Sequence, residues 1–404
     1  MQLNRAFSRL WAAQAVSDFG ALISREGLPL AAVLSLGAGP VQLGVLAAAR
    51  AAPAVLVGFG AGRIVDRGSR RAILIAADLG RAAVLVLVAV AALGHHLTAV
   101  WLYLAAALVR ALSDLFDVAD HAILPALVAR QQLLAANARL AATESAAEVG
   151  GPALAGVLFT LLTAPIAIGL NAVTYLASAA LLAGLPRRAP SAPSPAGRSP
   201  PAPGLALAFA SPLLRPLILA SGASALAGGF FSALYILFAI RTLGLTPAML
   251  GITIGAGGVG ALAGAALAGP TARRFGFGPA LIGAWLLSGG FAFLVPLAHG
   301  RWSGMAMLML AQVLGDAAGA AALVHAKTVR QTAVADHELG RAAAAFTAVG
   351  GAAAAAGALA GGYLALGLGV RGALFAGSAG LLAAPLFCLV RPLRSLREVG
   401  AGQG

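Results

Sequence analysis

Long apolar stretches recur along the chain, each bounded by arginine, glycine or proline. A helix needs roughly 20 such residues to cross the hydrocarbon core of a bilayer, whereas a soluble helix shows only an apolar stripe. Twelve stretches are long enough: 8–34, 40–62, 72–93, 98–118, 138–162, 165–185, 214–240, 246–270, 278–298, 303–323, 342–366 and 370–391. Neighbours are separated by tight turns such as Thr163-Ala164-Pro165. The first stretch is too long for the apolar region of a cleavable signal and is broken by Asp18, Arg25 and Glu26, so it reads as a retained span. The pattern predicts an all-α membrane protein with twelve transmembrane helices.

Residues 186–212 break this rhythm. Eight of the 21 prolines fall there, which predicts a flexible or polyproline-like linker. The chain then divides into a six-helix bundle at 1–185, the linker at 186–212, a second six-helix bundle at 213–391 and a tail at 392–404. The halves repeat weakly. Gly62 to Arg67 after the second span matches Gly269 to Arg274 after the eighth, and His121 and His325 follow the fourth and tenth. Two parallel, pseudo-symmetric six-helix repeats are the signature of a secondary transporter whose site lies between them.

Composition removes the alternatives. The chain is 60% hydrophobic and 10% charged with mean hydropathy +0.92. Soluble domains carry about 25% charged residues, and a disordered chain is far less apolar. The net charge of +14 could suggest nucleic acid, but the placement of the bases argues against that partner. With the N-terminus inside, 20 of the 27 fall in cytoplasmic segments, three in outer loops and four within spans. That bias predicts a multi-pass plasma (inner) membrane protein with both termini cytoplasmic. A single cysteine, Cys388, allows neither an intrachain disulfide nor a cysteine metal site. Histidine spacing fits no metal motif, and the six histidines read as surface or interfacial residues. Lys327 follows no glycine loop, and Gly255 to Gly260 lies inside a span with no strand before it. The first argues against an ATP-driven pump and the second reads as helix packing. No nucleophile, base and orienting group can be assembled, so the chain is not read as an enzyme, and no cofactor or metal is expected.

A charge in mid-bilayer costs about 3 kcal/mol and persists only when paired or beside a wet cavity. The candidates are Asp18, Arg25, Glu26, Arg50, Asp78, Arg81, Arg110, Asp114, Asp117, Glu144, Glu148 and Asp316. Asp78 and Arg81 are three apart and form a structural pair. Arg110 and Asp114 are four apart on one face, and a static salt bridge between them is at least as good a reading as a role in proton transfer. Glu144 and Glu148 share a helix face, about 6 Å apart, and either proton coupling or pairing with an arginine such as Arg110 would explain them. Glu148, about ten residues into its span, is the first choice for a protonatable site. Asp18 and Asp316 have no local partner and are cavity candidates. Arg25 and Glu26 are expected near the outer end of the first span, reaching to the interface.

Two motifs carry further mechanism. Gly62-Arg-Ile-Val-Asp66-Arg67-Gly-Ser-Arg70-Arg71 joins the second and third spans, and Asp66 could cap the third span or pair with Arg70. In the fifth span, Gly150-Gly151-Pro152-Ala-Leu-Ala-Gly156 removes side chains and a backbone donor, which permits bending and close packing.

The first motif resembles the cytoplasmic gate of the major facilitator superfamily, Gly-x-x-x-Asp-Arg-x-x-Arg-Arg. The second is similar to the Gly-Pro antiporter motif of its drug-efflux members. Asp78-Leu-Gly-Arg81, Ala49-Arg50-Ala-Ala-Pro53, Phe116-Asp117-Val-Ala119 with Leu124-Pro125, and Leu134-Ala-Ala-Asn137 also match. Together they resemble the macrolide-efflux and enterobactin-exporter-like branch over the whole chain, most strongly over 7–185. In the second half Arg273 stands where Asp66 does in the first, so that gate is degenerate. The resemblance implies the major facilitator fold and proton-coupled export of a small amphipathic molecule by a monomer. The proton gradient is the energy source, Arg110 is a residue linked to proton transfer, and drug resistance is an outcome. A non-transporting membrane sensor or scaffold, or an importer of the same fold, are the alternative readings.

Overall fold

The computed structural model describes residues 4–54, 69–186, 201–335 and 338–397, and all regular structure among them is helical. The helices are α1 (Arg5–Ser35), α2 (Pro40–Ala51), α3 (Arg70–Leu93), α4 (Ala99–Leu127), α5 (Leu133–Leu161), α6 (Ala164–Ala183), α7 (Pro201–Ala210), α8 (Leu214–Leu237), α9 (Pro247–Phe275), α10 (Phe277–Ala292), α11 (Trp302–Thr332) and α12 (Leu339–Ala383). A π turn, Phe238–Thr242, extends α8, and a short turn, Leu294–Leu297, extends α10. α12 holds two of the expected spans. It breaks at Gly369, whose φ of 71° lies in the left-handed region that glycine tolerates.

Eight helices among the described residues are long and apolar enough to cross a membrane, α12 with its extension counting as one. α1, α2 and α5 fall outside that set. α1 carries Asp18, Arg25 and Glu26, α5 carries Arg139, Glu144 and Glu148, and the second half of the expected 40–62 span lies outside the described residues. These three helices carry most, though not all, of the charges of the cavity described below, with Arg110 and Asp117 on α4 and Asp316 on α11.

Four boundaries differ from expectation. α4 runs on to Leu127 and α11 to Thr332, beyond the expected limits of 118 and 323. The polar residues there mark the edge of the apolar layer, not the end of the helix. The expected linker contains α7, because Pro201 and Pro203 sit in its first turn, where a missing N–H costs nothing. α7 packs on α8 and α12, and its Gly204 lies against the Arg341 carbonyl. The expected tail begins packed: Leu393 is buried, and the Gly278 N–H donates to the Leu396 carbonyl at 2.8 Å.

Helix ends are satisfied locally. The Asn4 side chain accepts from Phe7 N at 2.8 Å to cap α1 and donates to the Leu127 carbonyl at the end of α4 at 2.7 Å. Ser69 caps α3. Arg71 donates to the Leu182 and Ala183 carbonyls, at 3.2 and 2.6 Å, and Arg9 to that of Gly184, so two cations sit on the C-terminal end of α6.

Within the first half α1 packs on α5 and α6, and α3 on α4 and α6. In the second, α9 packs on α11 and α8 on α12. Glycines make these contacts close. A Cβ at Gly264 would collide with the Ala317 backbone, and one at Gly357 with that of Leu226. Where lipid supplies no hydrophobic drive between helices, such approach and buried hydrogen bonds hold the bundle. Asn171 of α6 donates to the Gly20 carbonyl at 3.1 Å and to Ser24 Oγ at 2.6 Å on α1.

The halves meet along two seams. In one, α5 lies on α9: Gly156 against the Pro247 carbonyl, Gly251 against that of Pro152, and Gly255 and Gly258 against Val149. In the other, α2 lies on α12, with Gly44 against Ala358 and Gly362 against Pro40. Both seams lie toward the face opposite the chain termini. Nearer the terminal face, the α9 glycines turn to α11 instead, Gly260 to Val313 and Gly264 to Ala317.

Candidate functional site

Between the halves lies a cavity of about 570 Å³ lined by α1, α2, α4, α8, α9 and α11, among others. A second chamber of about 240 Å³ shares Arg25, Arg50 and Arg110 with it and continues along the first half past Asp18, Asp117 and Glu144. Nearly every charge that the apolar spans had to accommodate faces one of these two spaces.

Arg25 on α1 is the hub. Its Nε donates to Glu26 Oε1 at 2.8 Å, and its two terminal nitrogens donate to the two carboxylate oxygens of Glu148 on α5, at 3.1 and 3.2 Å. A fork-on-fork pair of this kind fixes orientation as well as charge. Arg25 and Glu26 therefore do not reach to the outer interface, as the sequence suggests. α1 runs ten residues past Arg25, about 15 Å, and a carboxylate on the adjacent helix holds the guanidinium inside. Glu148 pairs with Arg25 and not with Arg110. Arg110 is instead paired with Asp114, one turn on, at 2.6 Å.

Glu144 is exposed in the smaller chamber, where it, Asp18 and Asp117 form an acidic wall. Asp316 on α11 lines the larger cavity, opposite the first half. The missing side chain at Gly257 leaves room for its carboxylate, since a Cβ there would meet Asp316 Oδ2. Asp78 and Arg81 are paired and fully buried beside the chamber. Arg81 also donates to Ser17 Oγ at 3.1 Å and Ser113 Oγ at 3.2 Å, and lies between the rings of Phe116 and Tyr175, at 4.6 and 4.4 Å.

The Gly-Pro motif touches both halves. Gly151 lies on Leu22 of α1, and Gly156 and the Pro152 carbonyl lie on α9. Of the loop motif, Gly62, Asp66 and Arg67 lie outside the described residues. Arg70 opens α3, and Arg71 holds the α6 end. His325, read from sequence as a surface or interfacial residue, is buried. It meets Phe277 edge-on at 6.0 Å and lies 3.2 Å from Thr271 Oγ1, because α11 continues past the expected boundary. Among the described residues no group of three His, Cys, Asp or Glu could hold a metal.

Arg50 reads from the sequence as an intramembrane charge without a role. Ser232 and Tyr235, which line the same cavity from the other half, do not stand out in the sequence. The signal for Arg50 was its position in Ala49-Arg50-Ala-Ala-Pro53. A serine and a tyrosine in an apolar helix carry none.

A family model described as transmembrane secretion effector matches residues 3–401. A 187-residue segment is 25% identical to the uncharacterized MFS-type transporter YfiS of Bacillus subtilis (strain 168), covering 46% of this chain and 43% of that one. The match therefore spans less than half of that relative. A bacterial homologue of the iron transporter ferroportin, in an inward-facing state, superposes with a TM-score of 0.77 at 17% identity, covering 96% of this chain and 99% of that one. The nucleoside transporter NupG gives 0.77 at 12%, covering 95% and 99%. A bacterial homologue of the human lysosomal transporter Spinster, inward-facing and occupied, gives 0.75 at 15%, covering 96% and 97%. At these identities the likeness is one of fold.

Proposed function

The chain belongs to the transmembrane secretion effector family of the major facilitator superfamily, and from that premise we propose that this membrane transporter exports a small amphipathic molecule in exchange for protons. Export of drugs, macrolides or siderophores is the cargo range that the macrolide-efflux and enterobactin-exporter resemblance supports. The protein works as a monomer in the plasma (inner) membrane, with both termini in the cytoplasm, as the distribution of bases supports. It needs no cofactor beyond the proton gradient. Seams closed on the face away from the termini support reading this conformation as open to the cytoplasm.

The observation that carries the reading is the bidentate Arg25–Glu148 pair in the cavity wall. It ties α1 to α5, and α5 is also the helix that forms the seam with α9. A proton on Glu148 removes the charge that Arg25 grips and leaves Arg25 to Glu26. The tie loosens on the helix that must move when the halves rock. Asp18, Glu144, Asp114 and Asp316 are further acids on the route, and Arg110 holds Asp114. The loop from Gly62 to Arg71, with Asp66 and Arg67, is the cytoplasmic gate, and Gly151, Pro152 and Gly156 are the bend about which α5 moves.

Inverted vesicles with an imposed pH gradient test this. Cargo-dependent proton release supports the proposal when probed with erythromycin, an anionic dye and a cationic dye. Cargo movement that is indifferent to the gradient contradicts it.

A further inference from the structure

Three arginines face the cavity between the halves, and one of them is differently held. Arg25 grips Glu26 and Glu148, and Arg110 grips Asp114. Arg50 on α2 has no carboxylate within 4.0 Å among the described residues. Its one hydrogen bond among those residues is a long one, 3.4 Å, from Nη2 to Ser232 Oγ on α8, across the boundary between the halves. One turn along α8, on the same face, the Tyr235 hydroxyl is buried with no hydrogen-bond partner among the described residues, and the residue lines the same cavity. A guanidinium without an ion-pair partner and a stranded hydroxyl are both costly in a membrane interior. Placed together, they are a set of donors awaiting an acceptor.

We propose that Arg50, Ser232 and Tyr235 form an anion subsite, and that the cargo is an organic acid whose carboxylate or similar group docks there. The inference rests on the export reading only in taking this cavity as the cargo site. A planar guanidinium presents two parallel N–H groups that match a carboxylate, which an ammonium cannot do. The hydroxyls of Ser232 and Tyr235 complete the shell from the other half. The apolar body of the acid lies against Leu28, Leu43 and Leu46 on one side and Ile236 and Ile254 on the other. A cavity of about 570 Å³ holds a molecule of ordinary drug size. Because α2 supplies the cation and α8 the hydroxyls, a bound anion joins the two halves where the long Arg50–Ser232 bond spans them. Glu26, the carboxylate that acts most on Arg50, is held by Arg25, and Asp316 sets an unfavourable field on the far side of the cavity.

The test uses the purified full chain in dodecyl maltoside and no gradient. Fluorescein and tetramethylrhodamine methyl ester share a xanthene body and carry opposite charge, and binding is read by fluorescence anisotropy. Wild type is expected to bind fluorescein about tenfold or more tighter than the rhodamine ester, the scale of one charge-assisted contact. Arg50→Gln erases that preference while leaving the rhodamine ester at least as well bound. Arg50→Lys retains part of it, Tyr235→Phe weakens fluorescein a few-fold, and Asp316→Asn strengthens it. Size-exclusion profiles confirm folding, and the lysine and phenylalanine variants carry the test if Arg50→Gln does not fold. Equal binding of the two dyes by wild type overturns the proposal, as does an undiminished preference for fluorescein in the Arg50 variants. An acid preference in a protein that moves no cargo down a pH gradient contradicts the export reading and leaves this subsite standing. Gradient-driven movement of the rhodamine ester without any acid preference does the reverse.

Discussion

Asp78 is the charge partner of a guanidinium that reaches neither water nor the headgroup layer: Arg81 is 2% exposed and Asp78 0%. Asp78→Asn keeps the shape and removes the charge. Losing one partner of a buried ion pair costs about 3–5 kcal/mol, because the other charge stays buried. Arg81 keeps two hydroxyls, Ser17 and Ser113, and two ring faces, Phe116 and Tyr175. Desolvated cation–π contacts of this kind are worth about 2 kcal/mol or more each, so the expected loss is at the low end, about 3 kcal/mol. The double change Asp78→Leu with Arg81→Met removes both charges at similar volume, and it is expected to return to within about 1 kcal/mol of wild type. Titrating the three proteins from dodecyl maltoside into SDS, with helical circular dichroism as the signal, measures both quantities. A single variant that loses less than about 1 kcal/mol would show that Asp78 is not what stabilises the buried Arg81 charge, as would a double variant less stable than the single.

Other consequences are nearer the surface or the seam. Gly156→Leu places a side chain into the Pro247 backbone and is expected to part the α5–α9 seam. In a Cys388→Ser background, Ser232→Cys then becomes reactive to an impermeant maleimide from the face away from the termini, whereas with Gly156 intact it is not. Ser69→Ala removes the side-chain cap of α3 and is expected to cost about 1 kcal/mol in the same SDS titration. Native Cys388, fully buried, is expected to resist maleimide until the protein is unfolded.

What could be read from sequence was what local spacing encodes. Apolar runs located the spans, and Gly369 falls where a turn between the last two was expected. Asp78–Arg81 and Arg110–Asp114 were legible because their partners are three and four residues apart on one helix. The Arg25–Glu148 pair joins residues 123 apart. Which arginine Glu148 meets depends on α1 lying beside α5, and hydropathy carries no information about neighbours. The same limit hid Ser232 and Tyr235, which matter only because α8 of one half faces α2 of the other. Helix α7 was missed for another reason: prolines that forbid a helix interior are harmless in its first turn.

The most direct test of proton-coupled export is Glu148→Gln in inverted vesicles, where a pH gradient is imposed and cargo-dependent proton release is followed with a pH-sensitive dye. Glutamine keeps the shape of the side chain but can neither hold Arg25 by charge nor take up a proton. Wild type is expected to couple cargo movement to proton release, and the variant, folded and present in equal amount, to lose that coupling at every pH. Proton-coupled efflux that continues undiminished in Glu148→Gln would contradict it.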